Sequence, residues 1–167
     1  MASERPATLI VGVGNPDRAD DGAGCLVARR LAAMDIPGVQ VLEHRSEALS
    51  LLPHFEGRKK AVLVDASVSG GQPGTIRLFD ASVHALPAIV QTTSSHGIGL
   101  GEVIELARTL GQLPRDCIVY TIEAGCCELG APLTPEVEDA INVLAARLTL
   151  DMNRPWHKEA SRHAEGL

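Results

Sequence analysis

Hydrophobic positions alternate between short continuous runs and helically spaced ones. Thr8 to Val13 is apolar without alternation and rich in β-branched residues, the pattern of a strand buried on both faces of a parallel sheet. Ala23, Val27, Leu31 and Met34 then recur at helical spacing, and Pro37-Gly38 stops that helix. Val39 to Leu42 reads as a second short strand, and Ser46 to Phe55 as a short helix interrupted or ended near Pro53. The third strand, Lys60 to Ala66, is built on Ala61-Val62-Leu63-Val64 and carries Asp65 at its end. The following Gly70-Gly71-Gln72-Pro73-Gly74 connection is too short for a helical crossover, so Thr75 to Phe79 is expected to pair antiparallel at an edge.

Asp80 to Gln91 is irregular. Val103, Leu106, Ala107 and Leu110 mark a further helix that Ser94 or Ser95 can cap, with His96 just before it or in its first turn. Cys117 to Ile122 is the next strand, ending at Glu123. Thr134-Pro135-Glu136 then starts a helix with a cap, a proline in the first turn and an acidic first turn, and Val137, Ile141, Leu144 and Leu148 form its buried stripe. The succession predicts an α/β, three-layer αβα sandwich: a mostly parallel central sheet of about five strands with one antiparallel edge strand. It forms a single domain over 1–150, and the polar, aperiodic 151–167 is expected to be a flexible tail.

Composition narrows the function classes. A hydrophobic content of 45% against 22% charged residues is that of a globular chain, and a net charge of −6 without any basic run argues against nucleic acid as partner. There is no apolar signal core near Met1 and no run of membrane-spanning length, so the expected location is the cytoplasm, with no membrane association. Cys25, Cys117, Cys126 and Cys127 form no Cys-x-x-Cys pair, which removes the zinc-ribbon and thioredoxin readings. Cys25 and Cys117 read as small buried hydrophobes. The adjacent Cys126 and Cys127 are either two packed thiols or a reactive or metal-binding pair.

The first strand opens into Gly12-Val13-Gly14-Asn15-Pro16-Asp17-Arg18-Ala19-Asp20-Asp21-Gly22. A dinucleotide fingerprint fails here, because Asp17 stands where the third glycine belongs and three carboxylates repel a pyrophosphate. An acidic loop at a strand's C-terminal end suits a cation better, although Asp20 or Asp21 can also serve as a helix cap. The element order sets Asp21, Asp65 and His96 on one sheet edge, a two-carboxylate, one-imidazole set suited to a borderline divalent metal; His96 taken alone can equally be a capping or hydrogen-bonding residue. No Gly-x-Ser-x-Gly elbow is present, so a serine triad is not available.

Several blocks, in order, resemble the hydrogenase maturation endopeptidases: Leu9 to Asn15 with Asp20-Asp21-Gly22-Ala23-Gly24, Val64-Asp65-Ala66 with Gly71 to Thr75, Ser95-His96-Gly97-Ile98-Gly99-Leu100, and Gly130 to Val137. The resemblance spans about Leu9 to Leu148. It implies a peptidase, often grouped as aspartic-type although without the pepsin Asp-Thr-Gly pair, that removes the C-terminal extension of a [NiFe]-hydrogenase large-subunit precursor after nickel insertion. The family's catalytic and metal positions fall on Asp21, Asp65 and His96. Nickel is expected to arrive with the substrate, and zinc or cadmium would fit the same donors. Asp17 and Asp20, in the same loop but off the matched positions, are expected to serve as internal controls, less damaging than Asp21 when replaced by alanine.

A non-catalytic, nickel-dependent maturation chaperone or binding module is the alternative from another class, and a nucleotide-binding α/β enzyme is a third that the acidic loop disfavours. One stretch departs from the family. Many members carry Asp-Gly-Gly or Gly-Thr after the second strand, where this chain has Glu43-His44-Arg45-Ser46-Glu47. That side of the cleft is expected to differ, with His44 as an exposed loop histidine.

Overall fold

The protein is described by a computed structural model that covers residues 6–91 and 97–153. Its strands are β1 (Thr8–Val13), β2 (Val39–His44), β3 (Lys60–Ser67), β4 (Ile76–Asp80) and β5 (Asp116–Glu123), in one sheet of order β2-β1-β3-β5-β4. β2, β1, β3 and β5 run parallel, and β4 pairs antiparallel with β5 at the edge, from Ile76 opposite Ile122 to Asp80 opposite Ile118. All eight residues of β3 are buried, which is why its sequence shows no alternation.

Helices α1 (Ala23–Ala32) and α5 (Pro135–Met152) cover one face of the sheet, packing on Ile10, Val62, Val64, Ile118, Tyr120 and Ile122. On the other face, α2 (Leu52–Phe55), α3 (Ala88–Gln91) and α4 (Leu100–Thr109) pack on Leu9, Val11, Leu63 and Val119. The expected three-layer α/β sandwich is therefore present. Among the described residues, no helix is long and apolar enough to cross a membrane.

The differences from expectation are local. Helix α1 stops at Ala32, so Met34 is exposed, and Asp35, at a φ of +46°, turns the chain so that Ile36 enters the core instead. Of the two alternatives at Pro53, the helical segment is interrupted beside it and not ended by it. A 3-10 turn, Ala48–Leu51, leads into α2, and the proline sits in the first turn of α2, where its missing N–H has no partner to lose. The irregular segment after β4 contains α3. The capping position of α4 is Gly99, whose N–H donates to the Glu102 carboxylate at 2.8 Å; Ser94 and Ser95 lie outside the described residues. The tail falls almost wholly outside them too, since α5 runs to Met152.

Two contacts fix the C-terminal edge of the sheet. The first is backbone against backbone at the start of α1: a Cβ on Gly24 would stand 2.2 Å from the Val64 carbonyl oxygen and 2.4 Å from that of Val13, and one on Gly12 would stand 2.0 Å from the Gly24 oxygen. Only glycine lets the helix come this close. The second is the carboxylate of Glu123, buried at the end of β5. It accepts hydrogen bonds from the Ser67 and Ser69 hydroxyls (2.8 Å each), the Ser69 and Gly71 N–H groups (2.7 and 3.0 Å) and the Arg77 guanidinium (2.9 Å). Burial by itself would raise its pKa; the Ser69, Ser67 and Arg77 donors outweigh it and bring it down to about 2. The turn between β3 and β4 is thereby tied to β5.

Gly24→Ala is expected to cost about 3 kcal/mol or more, read as a lower urea midpoint, because the neighbouring carbonyls belong to strand backbone and have little freedom to yield. Glu123 makes a second expectation. With its folded pKa depressed, its stabilisation is complete above the unfolded value of about 4.3 and is lost as pH falls toward the folded one. Glu123→Gln should lower the midpoint at pH 7 by about 2–4 kcal/mol in unfolding free energy, and the gap from the parent should close in acid. A gap independent of pH between 7 and 2 would contradict this account of the Glu123 hydrogen bonds.

Candidate active site

In the order β2-β1-β3-β5-β4 the chain leaves β1 toward β2 on one side and is flanked by β3 on the other. The crevice outside the C-terminal ends of β1 and β3 is thus the topological switch point, where open α/β sheets bind ligands. The loop after β1 folds tightly over it. Gly14, at a φ of +133°, donates its N–H to the His44 carbonyl (3.2 Å), and Asn15 donates its N–H to both the backbone oxygen and the carboxylate of Asp21 (3.2 Å each). Arg18 N–H returns to Asn15 O at 3.0 Å, and Asp21 N–H to Arg18 O at 3.1 Å. A 3-10 turn, Ala19–Gly22, then leads directly into α1. A Cβ on Gly14 would lie 2.0 Å from the Asp21 oxygen and one on Gly22 2.4 Å from Pro16 Cα, so these glycines serve the folding of the loop on itself.

Neither acid at 20 or 21 caps a helix. The capping positions are Arg18 for the 3-10 turn and Gly22 for α1, and neither makes a side-chain capping bond. Asp20 is fully buried instead, with Oδ2 accepting from Gly125 N–H (2.8 Å), Cys126 N–H (2.9 Å) and the Thr134 hydroxyl (2.8 Å), and Oδ1 from Thr134 N–H (2.8 Å). Burial pushes its pKa up, but the hydrogen bonds from Thr134, Cys126 and Gly125 prevail and the net shift is downward. Asp20 therefore has a structural role beside that of an internal control: it fastens the acidic loop to the connection between β5 and α5. Thr134, expected as a simple helix cap, spends its hydroxyl on this carboxylate. Two adjacent acids in one loop were the only sign in the sequence that two roles had to be filled.

Asp21 is partly exposed at the crevice. Burial raises its pKa, against the opposing pull of the Asn15 N–H and the Arg18 charge. Asp65, 5% exposed, lies on β3 one residue past Val64, which is in register with Gly12 of β1, and its Oδ1 accepts the Ala66 N–H at 2.8 Å. Both assigned carboxylates thus lie at the C-terminal edge where β1 and β3 adjoin. Across from Asp65 on β5, the buried Thr121 hydroxyl has no hydrogen-bond partner among the described residues. His96, the third assigned residue, lies outside the described residues, four positions before α4 begins. Among the described residues, no three His, Cys, Asp or Glu side chains form a metal-binding group.

The thiols and His44 have other work. Cys25 donates its S–H to the Gly14 and Gly12 carbonyls (3.3 and 3.4 Å), and burial pushes it up to about 11; Cys117 is pushed up to about 12 by burial. Cys126 and Cys127 are free and half-buried, and the Cys127 thiol is raised by burial, then by the charges of Asp21 and Asp20, the reverse of what activates a nucleophile. His44 is not an exposed loop residue. It is the last residue of β2 and is buried, with Nε2 at 3.0 Å from the Glu47 carbonyl oxygen and 3.1 Å from the Ser50 hydroxyl. The stretch that departs from the family pattern is held by Glu43, paired with Arg29 at 3.0 and 2.9 Å and with Arg45 at 3.4 Å.

Comparison with known proteins fits this geometry. A family described as hydrogenase maturation protease matches residues 25–150. The hydrogenase expression/formation protein HupD of Bradyrhizobium diazoefficiens is 31% identical over 176 aligned residues, covering 99% of this chain and 88% of its own, and the hydrogenase 2 maturation protease of Escherichia coli K12 is 29% identical over 137, covering 80% and 82%. Among solved structures, the [NiFe] hydrogenase maturation protease HycI from Thermococcus kodakarensis superposes with a TM-score of 0.71 at 25% identity, covering 89% of this chain and 94% of that one. With the fold, the order of its motifs and these relatives in agreement, the chain belongs to the hydrogenase maturation proteases and is a peptidase.

Proposed function

We propose that this peptidase removes the C-terminal extension of a [NiFe]-hydrogenase large-subunit precursor after nickel insertion, and that Asp21, Asp65 and His96 are the side chains that read the nickel. The observation that carries the reading is the placement of Asp21 and Asp65 on either side of the β1/β3 switch point, one on a folded loop and one on the central strand. Carboxylate oxygens and an imidazole nitrogen suit a borderline divalent ion at about 2.0–2.2 Å, so zinc or cadmium would occupy the same donors. Nickel here is part of the substrate. The reaction is placed in the cytoplasm, with the precursor as protein partner.

Hydrolysis needs a water brought to the scissile carbonyl and a base for its proton. The half-buried Asp21, whose carboxylate accepts one described hydrogen bond, has an oxygen to spare for that proton, while the more deeply buried Asp65 accepts the Ala66 N–H on its strand. The carbonyl carbon gains the water oxygen, the C–N bond breaks, and the new amine takes up the proton. The cation supplies polarisation of the carbonyl or of the water. Because that ion comes with the precursor, processing waits for nickel.

Nickel-loaded precursor should be shortened on incubation with the protein, seen as a mobility shift, while nickel-free precursor stays intact. Equal cleavage of both would remove the nickel-reading role, and complex formation without cleavage would favour the maturation-chaperone reading. Asp21→Ala, Asp65→Ala and His96→Ala should each lower processing by about 100-fold or more with circular dichroism unchanged. Full activity of His96→Ala would remove the histidine from the site.

A further inference from the structure

The acidic loop and the β5–α5 connection, residues 124–134, are joined along their length. Gly130 N–H donates to Asp17 O at 2.8 Å, Arg18 Nε to Cys127 O at 3.2 Å and Asp20 N–H to Cys126 O at 3.0 Å. The Asp20 carboxylate, at the centre of this seam, takes four further hydrogen bonds and is fully enclosed. Asp20 and Asp21 are consecutive in a 3-10 turn, whose side chains fan out by about 120° per residue. Once the first is pinned toward 124–134, the direction of the second is set.

We propose that Asp20 is a positioning residue for Asp21: by binding Gly125, Cys126 and Thr134 it orients the turn so that the Asp21 carboxylate faces the crevice beside β3. This rests on the reading of Asp21 given above. A carboxylate is required at position 20 because every group aimed at it is a donor. An asparagine of the same shape turns an NH2 toward at least one of them, leaving that N–H or O–H unsatisfied and the turn free to rotate. Asp21, tied by its own side chain to the Asn15 N–H alone among the hydrogen bonds described, would follow.

The test is steady-state processing of nickel-loaded precursor by Asp20→Asn, at a temperature where circular dichroism shows it folded. The expected result is a fall in kcat of about tenfold or more with KM within about threefold of the parent, since misorientation of a reacting group acts on the chemical step. Thr134→Val, which deletes one of the four donors and keeps the backbone one, should show the same pattern at about threefold, and serves if Asp20→Asn does not fold. Unchanged kcat with a lowered melting temperature would overturn the proposal and leave Asp20 a purely structural group; a raised KM at unchanged kcat would overturn it in favour of substrate docking. Asp21→Ala in parallel separates the two ideas. If that variant is inactive and Asp20→Asn is fully active, only the positioning role falls; if Asp21→Ala is fully active, the assignment of the site falls first.

Discussion

The start of α1 lies against the backbones of β1 and β3 with no side chain between them, and the geometry of the crevice depends on that contact. Because Gly24 fits among the Val13 and Val64 carbonyls, the helix begins directly at the sheet edge and only a short loop separates it from β1. So short a connection has to fold on itself, which it does through Asn15, whose N–H meets both acceptors of Asp21, and through the left-handed turn at Ala19. The acidic loop is therefore a compact unit held from beneath by glycine packing. Its side chains project from a backbone with little room to move.

Two buried carboxylates hold the same edge from the side. Glu123 and Asp20 each gather hydrogen-bond donors from another loop, and in both the stabilisation of the charged form outweighs desolvation. Asp21 differs in kind: it remains partly exposed, its carboxylate accepts one described backbone hydrogen bond, and burial raises its pKa. Saturated acids fasten loops together, and an acid left with spare acceptor capacity at a switch point is available to a ligand. The contrast between neighbours 20 and 21 places both kinds in a single turn.

The fold was legible because its signals are local. Continuous apolar runs marked β1, β3 and β5, and the Gly/Pro-rich turn too short for a crossover gave the antiparallel β4. What escaped depends on partners distant in the chain. Asp20 meets donors more than a hundred positions away, and nothing near it in sequence announces Gly125 or Thr134. His44 reads as exposed when β2 ends at Leu42; two more residues of strand carry it onto the same buried face as Leu42. Met34 kept helical spacing beyond the true end of α1, where the positive φ of Asp35 redirects the chain. Element order alone puts Asp21 and Asp65 at one edge, whereas His96 lies outside the described residues.

The chemistry available at this edge also limits the mechanism. The Cys127 thiol beside the acidic loop is pushed away from ionisation, Cys25 is enclosed by backbone carbonyls, and the sequence holds no serine elbow. The nucleophile proposed above is water, and a carboxylate acting alone is a weak activator of water against an amide carbonyl. On the reading proposed above, the missing electrophilic assistance enters with the precursor as its nickel. The same residues that bind the ion then decide whether the reaction is possible at all. Recognition and catalysis would share one contact, so that a precursor without its metal fails at the chemical step as well as at binding.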